Sequence, residues 1–214
     1  VTIVVESRFG QKWTQTLDVE GFVEKHVRCE GAGATIENIL QQVDNGATFL
    51  TMDLSVAMNA DVTVDNPDGP LMIEVLDKVD EHVEKTGRST VGFNFEIHTA
   101  NGKEEGKTVP YYHDYADYVM ADLWVRYMGD RLMITGSDYR SLNHLNEKYP
   151  EVDIAFKLYP ENTDAKKAMS RLKFTPKWLS AHSSLVSAEF LNEWRDKGVF
   201  VAVWGMDTPE EKDR

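Results

Sequence analysis

Thr48-Phe49-Leu50-Thr51-Met52-Asp53-Leu54 reads as a strand of apolar residues carrying a single acid near its end. Residues 90–98 repeat the pattern, with Glu96 set among Phe93, Phe95 and Ile97. A carboxylate on a buried strand is costly unless it is paired, hydrogen-bonded or bound to a cation. Each run also sits in a strand-then-helix unit, which builds parallel sheets with their chemistry at the C-terminal strand ends. These two acids are therefore the first candidates for a site.

Working outward, the same alternation continues. Towards the N-terminus, 22–27 is a strand candidate, followed by the turn Glu30-Gly31-Ala32-Gly33-Ala34 and a helix over 36–43 capped by Thr35. Asn45-Gly46 stops that helix. A short return strand is expected at 62–65, and after Pro67-Asp68-Gly69-Pro70 a helix over 71–85 ending at Gly87. Its apolar positions Leu71, Val75, Leu76, Val79 and Val83 keep helical spacing. Residues 99–109 read as an exposed polar excursion, and 111–126 as an aromatic-rich helix. Then come strand 132–135, helix 139–148, strand 153–158, helix 164–171, strand 178–181, helix 187–197 and strand 199–204. This alternation predicts an α/β fold with a parallel sheet, a TIM-type (β/α) barrel in one domain over 1–214. Residues 1–20 form a strand or hairpin extension, with strands at 1–7 and 12–19.

Composition narrows the partners. The 214 residues are 42% hydrophobic, enough for a full core. The formal net charge is −13 with no basic stripe, which speaks against nucleic acid or an anionic membrane as a partner. Cys29 is the sole cysteine, so no intrachain disulfide forms, and an inert packed thiol is expected there. No run approaches the ~18 apolar residues of a membrane span. Residues 1–7 are short and carry Glu6, unlike a signal peptide, so a cytoplasmic location or a place in a virion is expected.

Five stretches, in order, resemble the glycerophosphodiester phosphodiesterase family, across about residues 22 to 211. They are Ile36-Glu37-Asn38-Ile39 with Gly46-Ala47; Leu50-Thr51-Met52-Asp53-Leu54; Pro70-Leu71-Met72-Ile73-Glu74-Val75-Leu76; Asn94-Phe95-Glu96-Ile97-His98; and 198–204 with Thr208-Pro209-Glu210-Glu211. The resemblance implies a barrel, a divalent cation held by three carboxylates, an arginine on the phosphate and two histidines moving protons. Asp53 and Glu96 fall on two of the metal positions, and Thr51 stands where the third carboxylate belongs. His26 and Arg28 are candidates for the first catalytic pair, Arg28 also for the phosphate. The second histidine maps to Asp65 or Asn66, and His98 takes the place of a lysine. Trp204 is expected to wall the substrate cleft, and His182 to line the mouth or to cap and pack.

The implied catalytic set is thus eroded. The expected function is a phosphodiesterase-like module, a pseudoenzyme that binds a small phosphodiester or a protein partner, with Mg²⁺ or Ca²⁺ held weakly. The alternative is an active metal-dependent phosphodiesterase using Asp53, Glu96 and His98. Family-like domains also occur as parts of larger assemblies, phage tails included, so homo-oligomers or such assemblies are expected partners. Asp53 and Glu96 have a plainer reading as well: ion pairs with Arg28, Arg88 or His98. His26 reads more readily as a half-buried strand residue than as an acid or base, His113 as a packing residue, and Gly31-Ala32-Gly33 lacks the third glycine of a phosphate cradle. Tyr111, Tyr112, Tyr115, Tyr118, Trp124 and Tyr127 are expected to be mostly core. The family's closing strand would follow Glu211, close to Arg214, so the barrel is expected to be incomplete or atypically closed at its C-terminal end. The β-branched residues 1–7 are expected to fill that position beside 22–27, or to pair with another chain.

Overall fold

The computed structural model describes residues 2–6, 12–16, 26–29, 34–55, 62–64, 69–99, 105–107, 109–126 and 129–206; of 2–6, 12–16, 26 and 55 the backbone alone is described. Seven parallel strands run β3 (His26–Cys29), β4 (Phe49–Ser55), β6 (Gly92–Ile97), β7 (Leu132–Gly136), β8 (Asp153–Leu158), β9 (Trp178–His182) and β10 (Phe200–Trp204), each paired with the next. They curl into a half-barrel, with β3 and β10 as the end strands among the described residues. A short antiparallel strand, β5 (Thr63–Val64), pairs with the end of β4.

Helices fill the crossovers: α1 (Ile36–Asp44), α2 (Met72–Thr86), α3 (Tyr112–Trp124), α4 (Tyr139–Lys148), α5 (Ala165–Ala168) and α6 (Ala188–Asp196). Their ends follow local chemistry. Thr35 Oγ1 accepts from the Asn38 N–H at 3.3 Å and starts α1. Gly87, with φ at 64°, takes the left-handed conformation that ends α2. Val75, Leu76 and Val79 of α2 are buried against the sheet, each contributing roughly 1.5–3 kcal/mol of burial.

The two faces of the curled sheet differ. Val27, Leu50, Met52, Leu54, Phe93, Phe95, Ile134, Phe156, Leu158 and Leu179 belong to the core under the helices. The alternate positions, Arg28, Thr51, Asp53, Asn94, Glu96, Thr135, Lys157 and Ser180, are polar and lie on the inner face. Apolar surface thus drives the sheet against its helices, and the concave side is left to hydrogen bonds and charges.

Three expectations need correction. The extension forms β1 (Thr2–Glu6) and β2 (Lys12–Thr16), which pair antiparallel in a two-stranded sheet of their own; β1 does not join the parallel sheet beside β3. A partner a few residues away costs far less loop-closure entropy than a distant edge. The strand expected over 22–27 is described from His26, where β3 runs to Cys29; 22–25 lie outside the described residues. The helix expected over 164–171 shrinks to Ala165–Ala168. The polar excursion after β6 is tied down: Arg140 pairs with Glu105, whose side chain is only 7% exposed. Among the described residues no helix is long and apolar enough to cross a membrane.

Candidate functional site

Register sets the site. β4 and β6 align Asp53 with Glu96 and Thr51 with Asn94, while β3 and β4 align Arg28 with Thr51. Below the carboxylates lies a neutral layer: Asn94 Nδ2 donates to Thr51 Oγ1 at 3.4 Å, and Thr135 Oγ1 donates to Asn94 Oδ1 at 2.8 Å. Thr51, where the resemblance implied a metal carboxylate, is therefore a fully buried member of this layer.

Above it the charges meet. Arg28 donates to Asp53 Oδ2 and to Glu96 Oε2, both at 2.8 Å. Lys157, arriving from β8, donates through Nζ to the same Glu96 oxygen at 2.7 Å. His98 Nε2 lies 3.4 Å from Asp53 Oδ1. Burial pushes the Glu96 carboxyl towards neutrality, but the Arg28 hydrogen bond and the Arg28 and Lys157 charges outweigh it. Glu96 is held well below the usual carboxylate range, ionised between two cations.

The far side of the mouth is aromatic. Lys157 Nζ lies 4.8 Å from the Trp204 ring centre and 5.6 Å from that of Tyr159. The Tyr159 and His182 rings meet Trp204 edge-on at 5.6 and 4.7 Å. Trp204 is fixed by its Nε1 donating to the Ser180 carbonyl at 3.1 Å. His182 Nδ1 accepts from the Ser184 N–H at 3.2 Å, capping the short turn Ser183–Leu185. Gly205, at φ +74°, lets that ring in: a Cβ there would lie 2.5 Å from His182 Nε2.

The structure brings together Arg28, Asp53, Glu96 and His98 from the sequence candidates, with Trp204 across the mouth. His26 stands at the register of Phe49, four residues before Asp53 along the sheet, and its side chain lies outside the described residues. Asp65 and Asn66 lie outside them as well, as does the Gly31-Ala32-Gly33 turn. Arg88 pairs with Asp44 rather than with the site acids. His113 bonds its neighbour Asp114 at 2.9 Å and packs on Tyr112. The Cys29 thiol, buried, is pushed up to about 11, which leaves it a poor nucleophile. Of the aromatic cluster Tyr115 is core, whereas Tyr111, Tyr118 and Trp124 are exposed and Tyr127 is outside the described residues. Lys157 is the residue that sequence reasoning passed over. The signal was present: a lone charge among Ala155, Phe156 and Leu158, the same pattern that marked Asp53 and Glu96.

Asp53, Glu96 and His98 each offer a donor atom, all within 4.8 Å of one another, a possible ligand set for a divalent cation. The charges argue against it. Both carboxylates already answer to Arg28 and Lys157, which balance them one for one. A calcium site normally collects six to eight oxygens, with affinity rising with ligand charge. Among the described residues, two neutralised carboxylates and a histidine fall short of that count and charge.

A curled parallel sheet flanked by helices, with acids and bases at the C-terminal strand ends, is a (β/α)-barrel arrangement. The chain has the fold of the glycerophosphodiester phosphodiesterases. A glycerophosphoryl diester phosphodiesterase assignment from Silicibacter pomeroyi superposes with TM-score 0.71 at 14% identity, covering 90% of this chain and 86% of that one. An Oleispira antarctica phosphodiesterase, solved with the product sn-glycerol-3-phosphate, gives 0.68 at 10% identity, covering 88% and 87%. A glycerophosphodiester phosphodiesterase from Parabacteroides distasonis gives 0.61 at 13%, covering 82% and 78%. No protein-family model matches the sequence, and no curated protein matches it.

Proposed function

We propose that this is a glycerophosphodiester-phosphodiesterase-like barrel whose mouth binds a phosphate-bearing small molecule and hydrolyses it slowly or not at all. The observation that carries the reading is the shared Glu96 oxygen, held by Arg28 at 2.8 Å and by Lys157 at 2.7 Å. A carboxylate so engaged cannot also lend its full charge to a metal ion, and without that charge phosphoryl chemistry loses its main stabilisation. His98, half-exposed and 3.4 Å from Asp53, is the one histidine at the carboxylate side among the described side chains. Loss of one general acid or base typically removes about 10²–10⁴ in rate. A barrel that holds a ligand without cleaving it suits an appended part of a larger assembly, phage tails included, and a net charge of −13 suits protein or small-molecule partners better than nucleic acid.

The test is turnover of bis(p-nitrophenyl) phosphate with added Mg²⁺, Ca²⁺ or Mn²⁺. The expected rate stays near background with each ion. A second reading, an active metal-dependent phosphodiesterase, is favoured by the 4.8 Å clustering of the Asp53, Glu96 and His98 donors. Metal-stimulated turnover that Asp53→Asn abolishes would establish it and overturn the first.

A further inference from the structure

Lys157 has more donors than the protein uses. An ammonium carries three N–H groups, and among the described residues Glu96 Oε2 is the one oxygen bonded to Nζ. Its other neighbours are the ring faces of Trp204 and Tyr159. Its cross-strand partner Ser180 has a fully buried hydroxyl with no hydrogen-bond partner among the described residues. Polar groups so placed are costly unless something answers them. The exposures are graded: the Glu96 side chain is 2% exposed, that of Lys157 9% and that of Arg28 18%. The Asp53 side chain is 22% exposed, so an anion entering the mouth meets Asp53, Arg28 and Lys157 before it meets Glu96.

We propose that the N–H groups of Lys157 not taken by Glu96 do here what a divalent ion would otherwise do, so that Lys157 and Arg28 hold a phosphate group at this mouth without metal. The inference rests on the phosphate-binding reading above and adds to it the independence from metal. Glu96 keeps Lys157 charged and oriented, a charge-assisted bond about twice the strength of a neutral one. Trp204 and Tyr159 give the organic part of the ligand an apolar wall beside the phosphate. Arg28 takes part from the other side of Glu96, so the phosphate bridges the two halves of the inner face.

The experiment titrates sn-glycerol 3-phosphate, with inorganic phosphate in parallel, into the wild-type chain by calorimetry, first in EDTA and then in Ca²⁺ or Mg²⁺. The expected result is binding in EDTA that the ions leave unchanged. Lys157→Gln should weaken it about tenfold or more, the equivalent of ~1.4 kcal/mol. Lys157→Arg, which keeps the charge, should restore most of it. Binding only when metal is added, or an unweakened Lys157→Gln protein, overturns the inference while leaving the ligand-binding reading in place. Absence of binding under every condition overturns both. Should Lys157→Gln fail to fold by circular dichroism, the wild-type comparison in EDTA and in metal, with Lys157→Arg, still decides.

Discussion

Two arginines in this chain each grip two carboxylates, and they do so to different ends. Arg140 holds Asp138, two residues away, and Glu105, with hydrogen bonds from 2.7 to 3.1 Å. Asp138 is also the N-cap of α4 and accepts from Thr99 at 2.6 Å, while the Tyr112 ring lies 4.8 Å from the Arg140 guanidinium. The carboxylate oxygens are answered locally, and the cluster ties the segment after β6 to a helix start. Arg28 spans 25 and 68 residues to reach its two acids, and a second cation shares the inner one. One cluster is closed and structural. The other is charge-balanced, and among the described residues its Lys157 bonds one oxygen.

The largest break in this comparison should come from Glu96→Gln. Removing one partner of a buried ion pair strands the other, at a cost of about 3–5 kcal/mol. Glu105→Gln, whose arginine is partly solvated and keeps Asp138, should cost only about 1 kcal/mol. Urea unfolding at neutral pH checks both, and equal losses would erase the distinction drawn here. The double variant Glu96→Leu with Lys157→Met should recover most of the single loss, because an apolar pair of similar volume leaves no buried charge unmatched. A double variant weaker than Glu96→Gln would place the instability elsewhere.

Acid should separate the two clusters next. Glu96 titrates below its usual 4.5 in the folded chain, so it contributes stability that is complete above that value and drains away as the pH falls. Asp138, set down from its usual 3.8 by Arg140 and Thr99 against the opposing effect of burial, does the same from a lower starting point. The wild type should therefore lose stability on acidification from pH 4.5 downward, and Glu96→Gln should be flatter there. Parallel acid curves for the two would contradict the assignment. The helix start stands beside Glu105→Gln at the small end: Asp138→Ala should lower stability by about 1 kcal/mol in the same urea unfolding, the usual value of an N-cap.

The contrast also explains what could be read from the sequence. α4 and β8 are legible to the residue, since Asp138 caps the one and a short apolar run bounded by polar residues makes the other. Asp53 and Glu96 are legible as anomalies, acids where strands should be apolar. Their partnership is not, because nothing local says that Arg28, Asp53, Glu96 and Lys157 share one layer; strand register alone brings them together. Lys157 shows the limit most clearly. Family resemblance drew attention to positions where a ligand was expected, and a lysine on a different strand had no such position to occupy. The hairpin over residues 1–20 was legible, but its place was not: a vacant edge is a global property, and β1 answered to β2, its neighbour in sequence.

Gly205 has a consequence for how sequences of this kind can drift. A residue just beyond the last strand would ordinarily be among the freest to vary. Here a left-handed backbone and the His182 ring, 2.5 Å from where a Cβ would stand, both reserve the position for glycine. A lineage that lost it would have to move the histidine, and with it one wall around Trp204. In this chain the Trp204-Gly205 pair is thus fixed by backbone conformation and ring packing, whereas the carboxylates across the mouth are fixed by charge.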